Sequence, residues 1–260
     1  MSPLPFVLIS PASRGLGQAL ARHYLRTTSL PVFATHRSNA SVAGWKKVLD
    51  NMPAVDPEWL HHLELELTSE ASIAHAAESL ASQLPSKNAY IHTAFFSGGI
   101  LYPERRPEDF DAARLLETFQ MNTVAHLLCI KHFARFLPRH GQALLGGTPA
   151  KWIHVSARLS SVSDNRIGGW YSYRASKAAL NQIVRTFDLH LQAKKLPAVC
   201  IGVHPGTVKT NFSKDFWNSV PKSQLIEPEE SAERLASVVG GLREDQRGRI
   251  WDYKGTEVVP

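Results

Sequence analysis

The 260-residue sequence predicts an α/β fold: a single domain built on a doubly wound parallel sheet flanked by helices. Short apolar runs alternate along the chain with segments whose apolar residues recur at helical spacing, which indicates repeated β-α-β units. The runs are apolar at consecutive positions, as expected for strands that are buried on both faces between helices. In such sheets, ligands bind at the carboxyl ends of the strands.

The predicted elements follow one another in chain order. Two amphipathic helices fall at residues 16–25 and 70–84, and a further helix-forming segment begins around Tyr173. No repeat or linker divides the chain, so we expect one domain over residues 1–260, with a variable segment at about 211–227. The predicted strands are residues 6–10, 31–35, 63–67, 89–96, 152–156 and 198–203.

Composition argues against several classes of function. The formal charge is +6, yet lysines and arginines are scattered, so we expect no nucleic-acid partner and allow a small anionic ligand. No apolar run reaches the roughly 20 residues of a membrane span, and we expect a cytoplasmic protein without a membrane partner. Cys129 and Cys200 lie in apolar runs and are interpreted as buried free thiols. The histidines lack ligand-like spacing, so no metal site is predicted.

The pair of residues that points most directly to chemistry is Tyr173 and Lys177. Their spacing of four places both side chains on one face of a helix. A phenol with an ordinary pKa of about 10 exchanges protons poorly near neutral pH, but an adjacent ammonium stabilises the phenolate and lowers that pKa. Tyr173 is therefore a candidate general acid or base. An isolated pair of this kind is more typical of an ordinary helix surface, and the remaining motifs decide between the two.

A loop with two glycines follows the first predicted strand and leads into a helix. Glycines let the backbone approach a pyrophosphate closely, and the first amides of the helix supply hydrogen-bond donors and a positive dipole end. The alternative is an ordinary βα turn, which often contains glycine. The candidate residues of this loop are Ser10, Ser13, Arg14, Gly15, Leu16 and Gly17.

The second predicted strand leads to Arg37, at the point where a fold that prefers NAD carries an acidic residue against the adenosine ribose. A guanidinium here, with Arg14 to assist it, suits the 2′-phosphate of NADP through charge-assisted hydrogen bonds. The alternative for each arginine is a solvated loop charge. We predict NADP(H) as the cofactor in preference to NAD(H).

Together these residues resemble the short-chain dehydrogenase/reductase family, from Phe6 to the end of the chain. The glycine loop is similar to the family's Thr-Gly-x-x-x-Gly-x-Gly, residues 92–101 lie where the family has a strand ending in Asn-Asn-Ala-Gly, and residues 205–210 match Pro-Gly-x-Val-x-Thr. Asn122 matches the family's helix asparagine. The stretch before Tyr173 and the end of the chain look most like the C-signal and sniffer-type carbonyl reductase subgroup. The resemblance implies a Rossmann-like fold.

The resemblance also implies a role for each matching residue. Tyr173 exchanges a proton with the substrate oxygen while the nicotinamide exchanges a hydride with the substrate carbon. Lys177 lowers the pKa of Tyr173 and binds the nicotinamide ribose, and Asn122 holds a water that links Lys177 to solvent. The alternative for Asn122 is an amide that satisfies a local irregularity of its helix. The implied cofactor-binding residues are Glu66, Ser97, Gly98, Tyr173, Lys177, Pro205, Gly206, Val208 and Thr210.

The active-site serine of the family has no unambiguous match. The usual position falls on Ala157, so the candidates are Ser156, Ser160 and Ser161, with Ser156 preferred. A hydroxyl in a serine-rich loop is also a common turn or cap residue.

Four further positions depart from the family pattern on the side of the cofactor. Pro11 replaces the first glycine of the loop and removes one amide donor. Phe96 and Ser97 replace the paired asparagines, and Glu66 stands where the family has an aspartate near the adenine. These changes keep a non-catalytic interpretation open although Tyr173 and Lys177 are both present.

The segment 211–227 corresponds to the family's variable substrate lid. Phe212, Phe216 and Trp217 give it an apolar face that suits a hydrophobic carbonyl or alcohol, although the rings could equally anchor a short helix to the body. We therefore favour an NADPH-dependent carbonyl reductase. The alternatives are a non-redox enzyme on the same fold and an NADP-binding regulatory protein. A homodimer or homotetramer through the helices that hold Asn122 and Tyr173 is also compatible with the sequence.

Overall fold

The computed structural model describes residues 3–37, 48–52 and 54–260. The strands are β1 (Leu4–Ser10), β2 (Val32–His36), β3 (Leu60–Glu64), β4 (Ala89–Phe96), β5 (Ala150–Val155), β6 (Ala198–His204), β7 (Thr207–Val208), β8 (Leu225–Ile226) and β9 (Ile250–Asp252). Seven of them form one parallel sheet in the order β3-β2-β1-β4-β5-β6-β9, and β7 pairs with β8 in a separate two-stranded sheet. The predicted fold class is confirmed.

Helices cover both faces of the seven-stranded sheet, so its central strands are buried on each side. The helices are α1 (Gly15–Thr27), α2 (Glu70–Gln83), α3 (Ala112–Phe119), α4 (Ala125–Phe133), α5 (Tyr171–Ala193) and α6 (Pro228–Gly240). In β1, Phe6 and Leu8 belong to one apolar cluster, which includes residues of α2, α4 and α5. Val7 and Ile9 belong to a second cluster, with residues of α1 and α6. This alternation along one strand is what a doubly wound sheet requires.

The third strand differs from its prediction. The sequence predicts a strand at residues 63–67, whereas β3 is Leu60–Glu64. β3 lies at the edge of the sheet, where polar side chains are tolerated, and His61 stacks on Phe33 with ring centres 4.5 Å apart. A rule that looks for consecutive apolar residues therefore places this strand too late, because an imidazole takes an apolar position.

Both cysteines are free and buried, as predicted. Burial raises the pKa of the Cys129 thiol to about 12, which makes this thiol unreactive at neutral pH. In the part of the chain that the structure describes, no helix has both the length and the apolar character needed to cross a membrane.

A buried ion pair ties the end of α5 to the segment that leads into β9. The Asp188 carboxylate is fully buried and accepts the Arg247 Nε–H at 2.9 and 3.1 Å. It also accepts the Cys200 backbone N–H at 3.0 Å and the Gln192 side-chain amide at 2.8 Å. A buried carboxylate is stable only when its oxygens are paired in this way. The pair therefore fixes the edge of the sheet against α5.

We expect Asp188→Ala to lower the free energy of unfolding by about 3–5 kcal/mol, because it leaves the buried Cys200 N–H and the largely buried Arg247 Nε–H without their acceptor. Urea denaturation measures the loss. The matched control is Asp245→Ala, which removes an exposed ion pair with Arg243 and is expected to leave stability almost unchanged. Equal effects of the two substitutions would contradict a structural role for Asp188.

Candidate active site

Tyr173 and Lys177 lie in the first two turns of α5 and are buried at 6% and 3% exposure. The Lys177 Nζ donates to the Val155 carbonyl oxygen, the last of β5, at 2.8 Å. The same nitrogen lies 6.0 Å from the centre of the Tyr173 ring. The helix thus presents both side chains to the carboxyl end of the sheet, as the four-residue spacing predicts.

Burial controls the protonation of both groups. It raises the pKa of the Tyr173 phenol above its ordinary value and lowers the pKa of Lys177 to about 7. The sequence predicts that Lys177 lowers the pKa of Tyr173, but in this structure desolvation of the phenol outweighs any such effect. The phenol is therefore protonated at neutral pH, as a proton donor for carbonyl reduction must be.

Asn122 lies in a π-helical turn, Gln120–Val124, between α3 and α4. Its side chain accepts the Ile100 N–H at 2.8 Å and donates to the Ile100 carbonyl at 2.9 Å. It also donates to the Ser176 hydroxyl at 3.0 Å, on the helix that holds Lys177. A Cβ added at Gly99 would lie 3.3 Å from the Asn122 Oδ1 and 3.5 Å from the Lys177 Nζ. Asn122 and the segment after β4 therefore border the candidate site.

The three candidate serines lie together in the segment after β5, and two of them bind Asn181. Ser156 donates to the Asn181 Oδ1 at 2.6 Å, and the Asn181 amide donates to the Ser160 hydroxyl at 2.7 Å. Ser161 bonds to the Pro260 carbonyl at 3.3 Å. Ala157, the usual serine position, is buried. Asn181, two helical turns after Tyr173, is the residue that orders this loop, and the sequence analysis missed it.

The start of α5 is held by Glu104, a second residue that the sequence analysis missed. Its carboxylate is buried and accepts both the hydroxyl and the backbone N–H of Ser172. Its carbonyl accepts the Trp170 N–H at 2.6 Å, and Trp170 enters the helix with a positive φ of 51°. Glu104 thereby fixes the first turn of the helix, one residue before Tyr173. No local pattern signals this contact, because the two residues are far apart in sequence.

The glycine loop has the tight geometry of a phosphate cradle. Gly15 begins α1 with a φ of +56°, a conformation that glycine adopts without strain. A Cβ at Gly17 would lie 1.9 Å from the Pro11 carbonyl oxygen, so only glycine fits there. The first turn of α1 has no side-chain cap and no acidic residue, which leaves its amides and its positive dipole end available to an anion. These features fit a dinucleotide pyrophosphate.

The remaining predicted loop residues lie around the carboxyl ends of β1, β2 and β4. Ser10 accepts the Thr35 hydroxyl at 2.9 Å, and the Ser97 hydroxyl lies 3.3 Å from the Pro11 carbonyl. These hydrogen bonds join neighbouring strands at the base of the loop. Ser13 and Leu16 are half-buried in the loop and Arg14 is exposed there, as is Arg37 just after β2. Both guanidinium groups are therefore open to solvent near the carboxyl ends of β1 and β2.

The loop after β6 approaches the glycine loop from the other side of the site. Gly206 has a φ of +81°, and a Cβ there would lie 2.5 Å from Ile226. A Cβ at Gly15 would lie 3.1 Å from the Thr210 methyl carbon. The fold therefore brings the glycine loop and the segment after β6 into contact, although they lie far apart in the sequence.

Three other predicted cofactor residues accept hydrogen bonds from neighbouring groups of the protein. The Glu66 carboxylate accepts the Thr68 N–H and hydroxyl, and the Pro205 carbonyl accepts the Ser231 hydroxyl. The Val208 carbonyl accepts the Ser213 hydroxyl.

Two aromatic rings, those of Trp170 and Phe212, lie next to Tyr173. The Phe212 ring centre is 6.1 Å from that of Tyr173, and Trp170 contacts both Tyr173 and Phe216. Trp217, by contrast, donates its indole N–H to Ser213 and does not pack on these rings. The predicted lid therefore contributes two of its three aromatic residues to the site, and Trp170 replaces the third. Among the described residues, no group of three or more metal-ligand side chains is present.

The parallel sheet, the glycine loop and the Tyr173–Lys177 pair are together the arrangement expected of a short-chain dehydrogenase. A model of the short chain dehydrogenase family matches residues 5–220, and the chain belongs to that family. C-signal from Myxococcus xanthus is 34% identical over 150 residues, which cover 58% of this chain and 81% of that protein. These findings confirm the resemblance stated above.

Two solved structures have the same fold along essentially the whole chain. The carbonyl reductase Sniffer of D. melanogaster has a TM-score of 0.82 at 25% identity, covering 98% of this chain and 99% of that one. The NADPH-bound carbonyl reductase from chicken fatty liver has a TM-score of 0.83 at 25% identity, covering 100% of both chains. Carbonyl reductases are therefore among the proteins to which this chain is similar.

The buried lysine makes stability depend on pH. The pKa of Lys177 is about 7 in the folded chain and 10.5 ordinarily, so between these values the unfolded chain binds more protons. The free energy of unfolding should therefore rise with pH across this window, by up to about 1.4 kcal/mol per pH unit. In Lys177→Met this contribution is absent. Urea denaturation of both proteins at several pH values measures it, and a difference that does not change with pH would refute the desolvation of Lys177.

Proposed function

We propose that the protein is an NADPH-dependent oxidoreductase that reduces the carbonyl group of a small hydrophobic substrate. The observation that carries the proposal is the buried Tyr173 beside Lys177, at the carboxyl end of the sheet where the glycine loop and Thr210 meet. The family membership supports an oxidoreductase, and the NADPH-bound neighbour supports the cofactor. The reverse reaction, oxidation of an alcohol, uses the same groups.

Each residue of the site has a defined task in this proposal. NADPH, when bound, supplies the hydride for the carbonyl carbon. Tyr173 donates its phenolic proton to the carbonyl oxygen as negative charge develops there. The ammonium form of Lys177 stabilises the phenolate that remains, because opposite charges attract each other strongly where water is excluded. Asn122 holds the segment after β4 in place through both backbone groups of Ile100. Ser156, from the segment after β5, is our candidate for a hydroxyl that orients the substrate.

NADP(H) is favoured over NAD(H) by the charges at the loop. Arg14 and Arg37 are both exposed next to the glycine loop and the end of β2. Neither forms an ion pair with a carboxylate among the described residues, so both guanidinium groups are available to a 2′-phosphate. The proposed cofactor set also includes Ser10, Ser97 and Gly98.

A hydrophobic substrate is favoured by the aromatic wall above Tyr173, which we define as Trp170, Phe212 and Phe216. Phe212 is 46% exposed although its ring packs near Tyr173, so part of this surface is available to a ligand. Aromatic side chains pack well against flat apolar groups. We therefore expect aryl ketones or aldehydes to be better substrates than polar ones.

A second candidate is an NADP-binding regulatory protein without turnover. The observation in its favour is that Ser156 and Ser160 are both bonded to Asn181, while Ala157 occupies the usual serine position. The similarity to C-signal is compatible with it. If cells that carry Tyr173→Phe in place of the wild-type protein keep the wild-type phenotype, the regulatory candidate is supported over the reductase. A cytoplasmic location and a homo-oligomeric state stay predictions.

We expect Tyr173→Phe to lower kcat for NADPH-dependent reduction of acetophenone by at least about 100-fold, since the proton donor is removed. NADPH consumption, followed by absorbance, measures the rate, and cyclohexyl methyl ketone serves as the non-aromatic comparison. The control is Tyr171→Phe, which alters an exposed tyrosine on the same helix and should retain the rate. Full activity of Tyr173→Phe would refute the proposed role.

We expect Arg37→Asp to raise the Kd for NADPH about tenfold or more and to leave the Kd for NADH similar or lower. The carboxylate repels the 2′-phosphate but accepts a ribose hydroxyl. Fluorescence titration with each cofactor measures both constants. Arg26→Asp makes the same charge change at the far end of α1 and should leave both unaltered. An unchanged cofactor preference in Arg37→Asp would overturn the assignment of Arg37.

A further inference from the structure

Three buried side chains form a continuous hydrogen-bonded row beside the segment after β4. The Trp152 indole N–H donates to the His154 Nε2 at 2.9 Å, and the Nδ1 atoms of His154 and His126 are 2.8 Å apart. The His126 Nε2 lies 3.1 Å from the Gly98 carbonyl oxygen. Trp152 and His154 are 0% exposed and His126 is 3% exposed. We refer to Trp152, His154 and His126 as the histidine row.

The two ends of the histidine row fix the position of every proton in it. An indole N–H can only donate, so the His154 Nε2 carries no proton and its Nδ1 does. A carbonyl oxygen can only accept, so the His126 Nε2 carries the proton and its Nδ1 accepts from His154. All three hydrogen bonds are then satisfied with both imidazoles neutral. No other neutral arrangement satisfies them all.

A further proton on either imidazole would break one hydrogen bond of the row, because two N–H groups would then face each other. On His126 it would face the His154 N–H, and on His154 it would face the Trp152 N–H. Lys177 is the charged side chain whose field reaches both imidazoles, and it opposes the same change. Burial lowers the pKa of His126 to about 3 and that of His154 well below its ordinary value. The row is therefore neutral and intact across the physiological range of pH.

The row ends on a segment that borders the candidate cofactor site. His126 binds the Gly98 carbonyl, and Asn122, four residues earlier along the same helical segment, binds both backbone groups of Ile100. The two side chains therefore hold residues 98–100 at successive points. A Cβ at Gly98 would lie 2.4 Å from Leu67, so this backbone is also confined from the opposite side.

We propose that His126 is a positioning residue for cofactor binding, held by His154 and Trp152 in the tautomer that donates to the Gly98 carbonyl. The proposal rests on the proposed function, because Gly98 matters here as a cofactor-binding residue. His126 itself touches neither Tyr173 nor Lys177 in the hydrogen bonds of the described residues. It acts through the backbone that Gly98 and Gly99 present beside Lys177.

Two substitutions of His126 separate its two hydrogen bonds. His126→Gln keeps an amide N–H at the distance of Nε2, so we expect it to retain the bond to Gly98 and to raise the Kd for NADPH by less than about threefold. His126→Asn keeps an acceptor for the His154 N–H but is too short to reach Gly98. We expect it to raise the Kd for NADPH about tenfold, the effect of one lost hydrogen bond. Fluorescence titration measures both.

Amide hydrogen exchange at Ile100, measured by NMR without cofactor, gives an independent readout. His126→Asn should accelerate exchange at Ile100, and His126→Gln should leave it close to that of the wild type. Equal effects of the two variants on Kd and on exchange, or no effect of either, would overturn the proposal. If the wild type binds no NADPH, the proposed function fails, whereas the exchange comparison still decides whether His126 holds this segment.

The tautomers can be observed in the wild type, which avoids any question of whether a variant folds. The ¹⁵N shifts of the imidazoles should show one buried histidine protonated on Nδ1 and one protonated on Nε2, both still neutral at about pH 5. The proposed row would be overturned if His126 and His154 were in the same tautomer, or if either became protonated near its ordinary pKa of about 6.5.

Discussion

The burial of Lys177 at the carboxyl ends of β4 and β5 is the constraint on which the site depends. A buried ammonium needs a hydrogen-bond acceptor, and the Val155 carbonyl provides one where β5 ends. Gly99 lies beside the same nitrogen, where a Cβ would be in van der Waals contact with it at 3.5 Å and would crowd the Asn122 Oδ1 at 3.3 Å. Lys177 in turn fixes which face of α5 meets the sheet. Tyr173, one helical turn earlier, is thereby placed at the same carboxyl end of the sheet.

Local patterns predicted most of the fold and the reactive pair. The central strands are apolar at consecutive positions because both faces are buried, and the spacing of Tyr173 and Lys177 is one helical turn. The edge strand β3 was misplaced because His61 replaces an apolar residue. Glu104 and Asn181 could not have been found, since each acts on residues distant in sequence. Such contacts depend on tertiary packing, which no local periodicity encodes.

The departures from the family pattern are accommodated by other contacts. Pro11 lacks an amide hydrogen, but the neighbouring Ala12 N–H donates to the Thr35 carbonyl and Ser97 lies within hydrogen-bond distance of the Pro11 carbonyl. The base of the glycine loop is thus joined to both β2 and β4. Phe96 packs on Trp152, with ring centres 4.5 Å apart, where the family has a polar residue. The polar connection between β4, β5 and α4 is supplied instead by the histidine row.

We infer that this site binds NADPH in spite of those departures. The most direct test is to titrate the unmodified protein with NADPH and then with NADH, following the nicotinamide fluorescence. The structure predicts saturable binding of one NADPH per chain and weaker binding of NADH. Failure to bind either dinucleotide would contradict the claim, and would mean that the glycine loop and the residues around Lys177 serve a purpose other than cofactor binding.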